Sequence, residues 1–305
     1  MTTKPRALNK GDTIGIAAPA SPFDRAKFMK GIHALEKLGF RAFYQDDIFD
    51  QNRYLAGTDR RRAEELSELI RRRDIAAIMF ARGGYGSQRI IPLLDAKALS
   101  LHPKPVIGFS DLTALLSFLR QSCRIPTFYG PVITQLGAAK GEATGLALIR
   151  ALTAKEPLGN MPMGGVKVIK PGQSEGPLVG GCLSLINSSI GTPYELNAEG
   201  SVLFIEEIGE KVYVLDRMLT QLKNSGVIGR ARGIVFGSIV PLPDEPHDVG
   251  QMIHDVLADF TGPVVAGFPA GHTDDFVTLP MGAAVKLTAT EAGVPEFCYT
   301  TGLLF

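Results

Sequence analysis

Cysteine is scarce: Cys123, Cys182 and Cys298 are the only three in 305 residues. They lie far apart, are odd in number and include no C-x-x-C, which argues against a disulfide framework and a zinc ribbon. The five histidines form no H-E-x-x-H or comparable cluster, so the pattern offers no structural or catalytic metal site. An excess of either charge is also missing. There are 32 basic and 31 acidic residues, a formal net charge of +1, unlike the basic footprint of a nucleic-acid binder, and there is no acidic tail. Nothing before Gly11 supplies the apolar core of a signal peptide. No stretch approaches the roughly 20 apolar residues of a membrane-spanning helix. Internal repeats and low-complexity segments are absent too. The expectation is a cytoplasmic, thiol-reduced protein with no cofactor, no nucleic-acid partner and no membrane association.

What is present is ordinary for a globular chain, 45% hydrophobic and 21% charged, with length enough for two domains. From Asp12 short apolar runs alternate with helical patterns. "DTIGIAAPA", "RAFYQ", "IAAIMFA" and "PVIGF" read as strands. Asp24 is placed to cap a helix over 25–38 that Gly39 stops, and Asp59 to cap the charged helix "DRRRAEELSELIRRR", whose mixed signs at helical spacing predict a solvated face. Strands without polar alternation, each followed by a helix, imply a parallel sheet covered on both sides, with ligands at the carboxyl ends of its strands. The Pro- and Gly-rich stretch from Lys155 to Pro177 reads as a linker or crossover. Beyond it, "SVLFIEE", "ARGIVFGSI", "PVVAGFPAG" and "FVTLPMGAAVKLTAT" predict a second α/β unit richer in strand, with helices near 213–224 and 248–260. The division expected is 1–153, a linker over 154–176, and 177–305.

Two turns stand out. In "ARGGYGSQRI", Gly83, Gly84 and Gly86 follow a strand and nearly complete the dinucleotide fingerprint G-x-G-x-x-G, but Arg89 occupies the third glycine position. The readings are a tight turn needing positive φ, backbone N–H groups offered to an anion, or a nucleotide site. In "PVIGFSDLTALL", Ser110 sits between a strand and a helix. It is either a helix cap or a nucleophile on a sharp turn, although the second glycine of G-x-S-x-G is missing. A nucleophilic serine needs a base and an orienting carboxylate. His272, in "FPAGHTDDF", is at a strand's carboxyl end, whereas His33 and His254 fall in helical patterns and His102 and His247 beside prolines. Glu206 and Glu207 end the apolar run "VLFIEE", where an acid is either functional or helix-capping.

Six blocks, "LNKGDTIGIAAPAS", "ARGGYGSQRIIPLLD", "VIGFSDLTALL", "GGCLSLINSSIGTPYEL", "FIEEIGEKVYVLDRMLTQL" and "GFPAGH", occur in an order that resembles the LD-carboxypeptidases, the muramoyl-tetrapeptide carboxypeptidase family that also includes microcin C immunity peptidases. The resemblance covers nearly the whole chain. It implies an N-terminal doubly wound parallel-sheet domain carrying Ser110 as nucleophile, and a C-terminal mixed α/β, barrel-like domain carrying Glu206 as orienting carboxylate and His272 as base. The oxyanion would be held by the N–H groups of Asp111 and Gly84. The implied activity is release of terminal D-alanine from muropeptide tetrapeptides during wall recycling, by a homodimer without metal or cofactor. The alternatives are an immunity peptidase acting on a peptidyl-nucleotide, a nucleotide- or sugar-binding module, and a non-catalytic relative in which Ser110 only caps. Cys182 replaces a usual asparagine, Tyr129 a common histidine and Glu207 a frequent aspartate.

Overall fold

Among the described residues, fourteen strands form. In chain order they are β1 (Thr13–Ala17), β2 (Arg41–Phe43), β3 (Ala77–Phe80), β4 (Val106–Gly108), β5 (Thr127–Tyr129), β6 (Gly159–Asn160) and β7 (Lys167–Lys170). They continue with β8 (Gly172–Cys182), β9 (Val202–Glu210), β10 (Gly233–Pro241), β11 (Val264–Ala266), β12 (Leu279–Met281), β13 (Ala284–Ala289) and β14 (Glu296–Tyr299). The structure, a computed structural model, describes residues 4–139, 141–243, 246–291 and 293–305. It divides into two compact units. One comprises Met1–Lys155, Asp274–Pro280 and Leu303–Phe305, the other Glu156–Thr273 and Met281–Gly302.

The first unit carries a six-stranded sheet in the order β12-β5-β4-β3-β1-β2. The pairs β1–β2, β1–β3, β3–β4 and β4–β5 are all parallel, as the unalternating strands predicted. Strand order reverses between β1 and β3, and the loops after β3 and β4 carry the glycine turn and Ser110. That is where parallel sheets place ligands. Every residue of β3 and β4 is buried, which is why the polar residues just past their ends are the first the solvent can reach. The helix Arg25–Lys37 starts as predicted, Asp24 accepting from the Lys27 N–H. The helix Asp59–Arg71 does not: Thr58 is its cap, accepting from Arg61 N–H, and Asp59 instead pairs with Arg62 and Arg89.

In the second unit the sheet is mixed, in the order β6-β14-β13-β8-β9-β10-β11-β7. β8, β9, β10 and β11 run parallel, and β7, β13 and β14 join antiparallel. Leu203, Ile205, Ile234 and Phe236 on the parallel strands pack against Leu215, Leu219 and Leu222 of the helix Val212–Asn224. Two sequence readings change here. The stretch read as linker contains β7 and the start of β8, whose exposed Gln173, Glu175 and Pro177 alternate with less exposed neighbours. "FVTLPMGAAVKLTAT" is not one strand: it breaks at Gly282 into β12, at the edge of the first sheet, and β13, inside the second. Among the described residues no helix is long and apolar enough to cross a membrane.

Candidate active site

The first unit supplies a serine turn and a glycine turn held against each other. Ser110 follows β4 with φ 63°, a left-handed conformation that a non-glycine residue adopts at a cost of about 1–3 kcal/mol and keeps only when its surroundings dictate it. They do so here. The Ser110 N–H donates to the Tyr129 hydroxyl at 3.1 Å, and its carbonyl accepts from Thr113 Oγ1 at 2.7 Å. The helix-cap reading of Ser110 finds no support. The 3-10 turn Ser110–Leu112 begins at Phe109, the helix Thr113–Gln121 begins at Leu112, and neither receives a side-chain cap. The Tyr129 ring is fixed edge-on against Phe109, and both pack on Phe276.

Asp111 ties this turn to the glycines. Its Oδ2 accepts from Ser87 N–H at 2.9 Å, while its carbonyl accepts from Ser87 Oγ at 2.6 Å. Burial pushes the Asp111 carboxyl above its usual range, although the Ser87 and Gly86 hydrogen bonds pull the other way. A Cβ placed on Gly83 would stand 3.4 Å from Ser110 Cβ, so the two turns touch. Gly84 has φ +99° and its missing Cβ would fall 2.6 Å from Ser21 Oγ, so only glycine fits. Ser21 Oγ in turn accepts from Tyr85 N–H at 3.0 Å. Beneath the turn lies Arg62, fully buried, whose Nη1 donates to the carbonyls of Gly86 and Pro19 and whose Nη2 pairs with Asp59. Arg89, at the fingerprint's third glycine position, forks onto the same Asp59.

The second unit supplies an imidazole on a buried carboxylate. Glu206 ends the apolar part of β9 at 0% exposure. Its Oε2 lies 2.7 Å from His272 Nδ1 and also accepts from the His272 N–H at 3.2 Å. A carboxylate can only accept, so Nδ1 carries the proton and Nε2 is the basic nitrogen. The His272 side chain is 19% exposed, positioned further by Ser238 Oγ, which donates to its carbonyl at 3.0 Å. Gly271 makes the approach possible: with φ +106°, a Cβ there would stand 2.6 Å from Glu206 Oε2.

The two acids of "FIEE" divide the roles left open by the sequence. Glu206 takes the histidine. Glu207, nearly buried, accepts from Ser184 N–H at 2.7 Å in the first turn of the helix Leu183–Ser189 and from the Cys182 thiol. Burial beside Glu206 and Glu207 holds the Cys182 thiol well above its usual pKa. The structure therefore brings Ser110, Asp111 and Gly84 together in one unit, and Glu206 and His272 together in the other. His33, His247 and His254 lie on exposed surface, the last beside Asp255. What the sequence reading missed is Arg62, Ser87 and the Tyr129 hydroxyl. Only Tyr129 carried a signal, as a departure from the usual residue.

Residues 14–130 match the LD-carboxypeptidase N-terminal domain and residues 175–287 the LD-carboxypeptidase C-terminal domain. The chain is 37% identical to a probable murein peptide carboxypeptidase of Bacillus subtilis, over 96% of each. Among solved structures, the wild-type, ligand-free microcin C7 self-immunity protein is similar with a TM-score of 0.90 at 25% identity, covering 99% of this chain and 100% of that one. The muramoyltetrapeptide carboxypeptidase from Oxalobacter formigenes has a TM-score of 0.84 at 27% identity, covering 95% of this chain and 99% of that one.

Proposed function

The chain belongs to the LD-carboxypeptidase family, and from that premise we propose that it is a serine L,D-carboxypeptidase releasing terminal D-alanine from muropeptide tetrapeptides. The observation that carries the reading is the 2.7 Å contact between His272 Nδ1 and the buried Glu206 carboxylate, the arrangement that makes an imidazole a general base of fixed tautomer. The strained φ of Ser110 on its strand-to-helix turn supports it as the partner nucleophile.

In this mechanism His272 Nε2 takes the Ser110 hydroxyl proton as Oγ attacks the carbonyl carbon of the penultimate residue. Glu206 stays ionised and stabilises the imidazolium. The N–H groups of Asp111 and Gly84 receive the developing oxyanion, each worth about 3 kcal/mol on the usual scale. His272 then returns its proton to the departing D-alanine nitrogen. Water, deprotonated by the same imidazole, cleaves the acyl-serine and regenerates the hydroxyl. The protein acts in the cytoplasm as a homodimer in this reading, the second point being measurable by light scattering.

The test is incubation with a defined tetrapeptide ending in diaminopimelate and D-alanine, with mass detection. Loss of one alanine by the wild type and none by a folded Ser110→Ala variant is expected; equal turnover by both rejects the assignment. A second reading, an immunity peptidase cleaving a peptidyl-nucleotide, is favoured by the TM-score of 0.90 to the microcin C7 self-immunity protein. An aminoacyl-sulfamoyl adenylate hydrolysed faster than the tetrapeptide would select it.

A further inference from the structure

A carboxypeptidase must recognise the free carboxylate that ends its substrate. That group is three bonds from the attacked carbon, so the two are at most about 4 Å apart. The cation that receives it must therefore reach the immediate surroundings of the attacking serine. Three arginines surround the glycine turn that touches Ser110. Arg62 is fully buried and committed to the Gly86 and Pro19 carbonyls and to Asp59. Arg89 lays its Nε–Nη2 edge on the Asp59 carboxylate, at 3.0 and 2.6 Å. Arg82 differs from both. It is exposed at the carboxyl end of β3, the strand beside β4, and is the chain neighbour of Gly83, whose missing Cβ would stand 3.4 Å from Ser110 Cβ. Its Nη1 donates to the Pro22 carbonyl at 2.6 Å, which fixes the guanidinium, while no carboxylate among the described residues pairs with it. The Nε–Nη2 edge, the one Arg89 uses on Asp59, has no hydrogen-bond partner among the described residues.

We propose that Arg82 is the specificity residue that binds the terminal carboxylate of the substrate through its Nε–Nη2 edge, restricting cleavage to the last peptide bond. The planar fork matches a carboxylate in two parallel hydrogen bonds, which a lysine cannot reproduce. Pinning by Pro22 O means that little side-chain freedom is lost on binding. The inference rests on the peptidase reading above.

The experiment compares wild type, Arg82→Gln and Arg82→Lys on two substrates, the tetrapeptide ending in D-alanine and the same peptide ending in D-alaninamide. For the wild type, amidation is expected to lower kcat/KM about 100-fold, chiefly through KM, the scale of a charge-assisted pair. In Arg82→Gln the acid is expected to fall by a similar factor and the amide to change little, so that the acid-to-amide ratio approaches 1; Arg82→Lys should retain part of the ratio. A purely structural role, tying the loop through Pro22, lowers both substrates together and leaves the ratio at the wild-type value, which overturns the proposal. A wild type that does not distinguish acid from amide overturns it as well. A wild type that cleaves neither peptide overturns the peptidase reading itself, an outcome separate from the first two.

Discussion

Gly271→Ala places one methyl group where the geometry has no room. The new Cβ would lie 2.6 Å from Glu206 Oε2, 2.7 Å from its Cγ and 2.8 Å from its Cβ, so the carboxylate must move by about 0.8 Å or more to reach ordinary van der Waals distance. The backbone resists too, because φ +106° is open to glycine and strained for alanine, at about 1–3 kcal/mol. That strain alone lowers the melting temperature by a few degrees in a chain of this length. The effect on catalysis is larger. Moving Glu206 stretches the 2.7 Å contact that fixes the His272 tautomer. A misplacement of about 1 Å costs on the order of 100-fold, and loss of the orienting carboxylate in serine proteases costs about 10,000-fold. D-Alanine release by Gly271→Ala is expected to fall between these limits in kcat, with KM changed less than threefold and the far-ultraviolet circular dichroism retained. The assay is steady-state turnover of the tetrapeptide alongside a thermal melt. A folded Gly271→Ala enzyme within about threefold of wild-type kcat would refute the orienting role of Glu206.

Two further perturbations follow from the same coordinates. Tyr129→Phe keeps the ring against Phe109 and Phe276 but removes the acceptor of the Ser110 N–H. The expected loss is about 1–3 kcal/mol of stability and about tenfold in turnover, read by urea unfolding and kinetics; unchanged turnover would show that the serine turn holds its conformation without the phenol. Burial pushes the Glu65 carboxyl from 4.5 up to about 7, against the pull of Arg61 and the Ala18 N–H. The folded state thus holds this proton more tightly than the unfolded chain does, so stability is greatest below about pH 4.5 and declines as pH rises to about 7, by about 3 kcal/mol. Glu65→Gln should remove that decline in melts between pH 4.5 and 7.5, and an identical slope in both proteins would contradict the burial argument.

Much of this was legible in the sequence because burial on two faces leaves a plain trace. β3 and β4 are apolar throughout, which marks a parallel sheet and directs attention to the residues just past their ends. Glu206 was visible for the same reason, as an acid ending a run with no other polar group. The charged helix is less transparent. Sign alternation over 59–73 describes a solvated face equally well whether or not carbonyl groups descend on it, and only the fold brings Pro19 O and Gly86 O onto Arg62 and Ala18 N–H onto Glu65. Thr58 outcompeted Asp59 as the helix cap because Arg62 and Arg89 claim the aspartate. The start of β8, within 155–177, alternates in exposure, but the glycines and proline at Gly172, Gly176 and Pro177 leave no hydrophobic period on which strand recognition could depend. Tyr129 stands where another residue is common, yet its contact with a backbone N–H nineteen residues earlier in the chain has no signature in spacing.

A fluorophosphonate reports on the nucleophile without assuming which peptide is cleaved. Wild-type protein treated with such a reagent should gain one adduct, mapping to the peptide that contains Ser110, with no labelling in Ser110→Ala and labelling at least about 100-fold slower in His272→Ala. An adduct on any other residue, or a wild type that resists the reagent while remaining folded, would contradict the assignment of Ser110 as the attacking group.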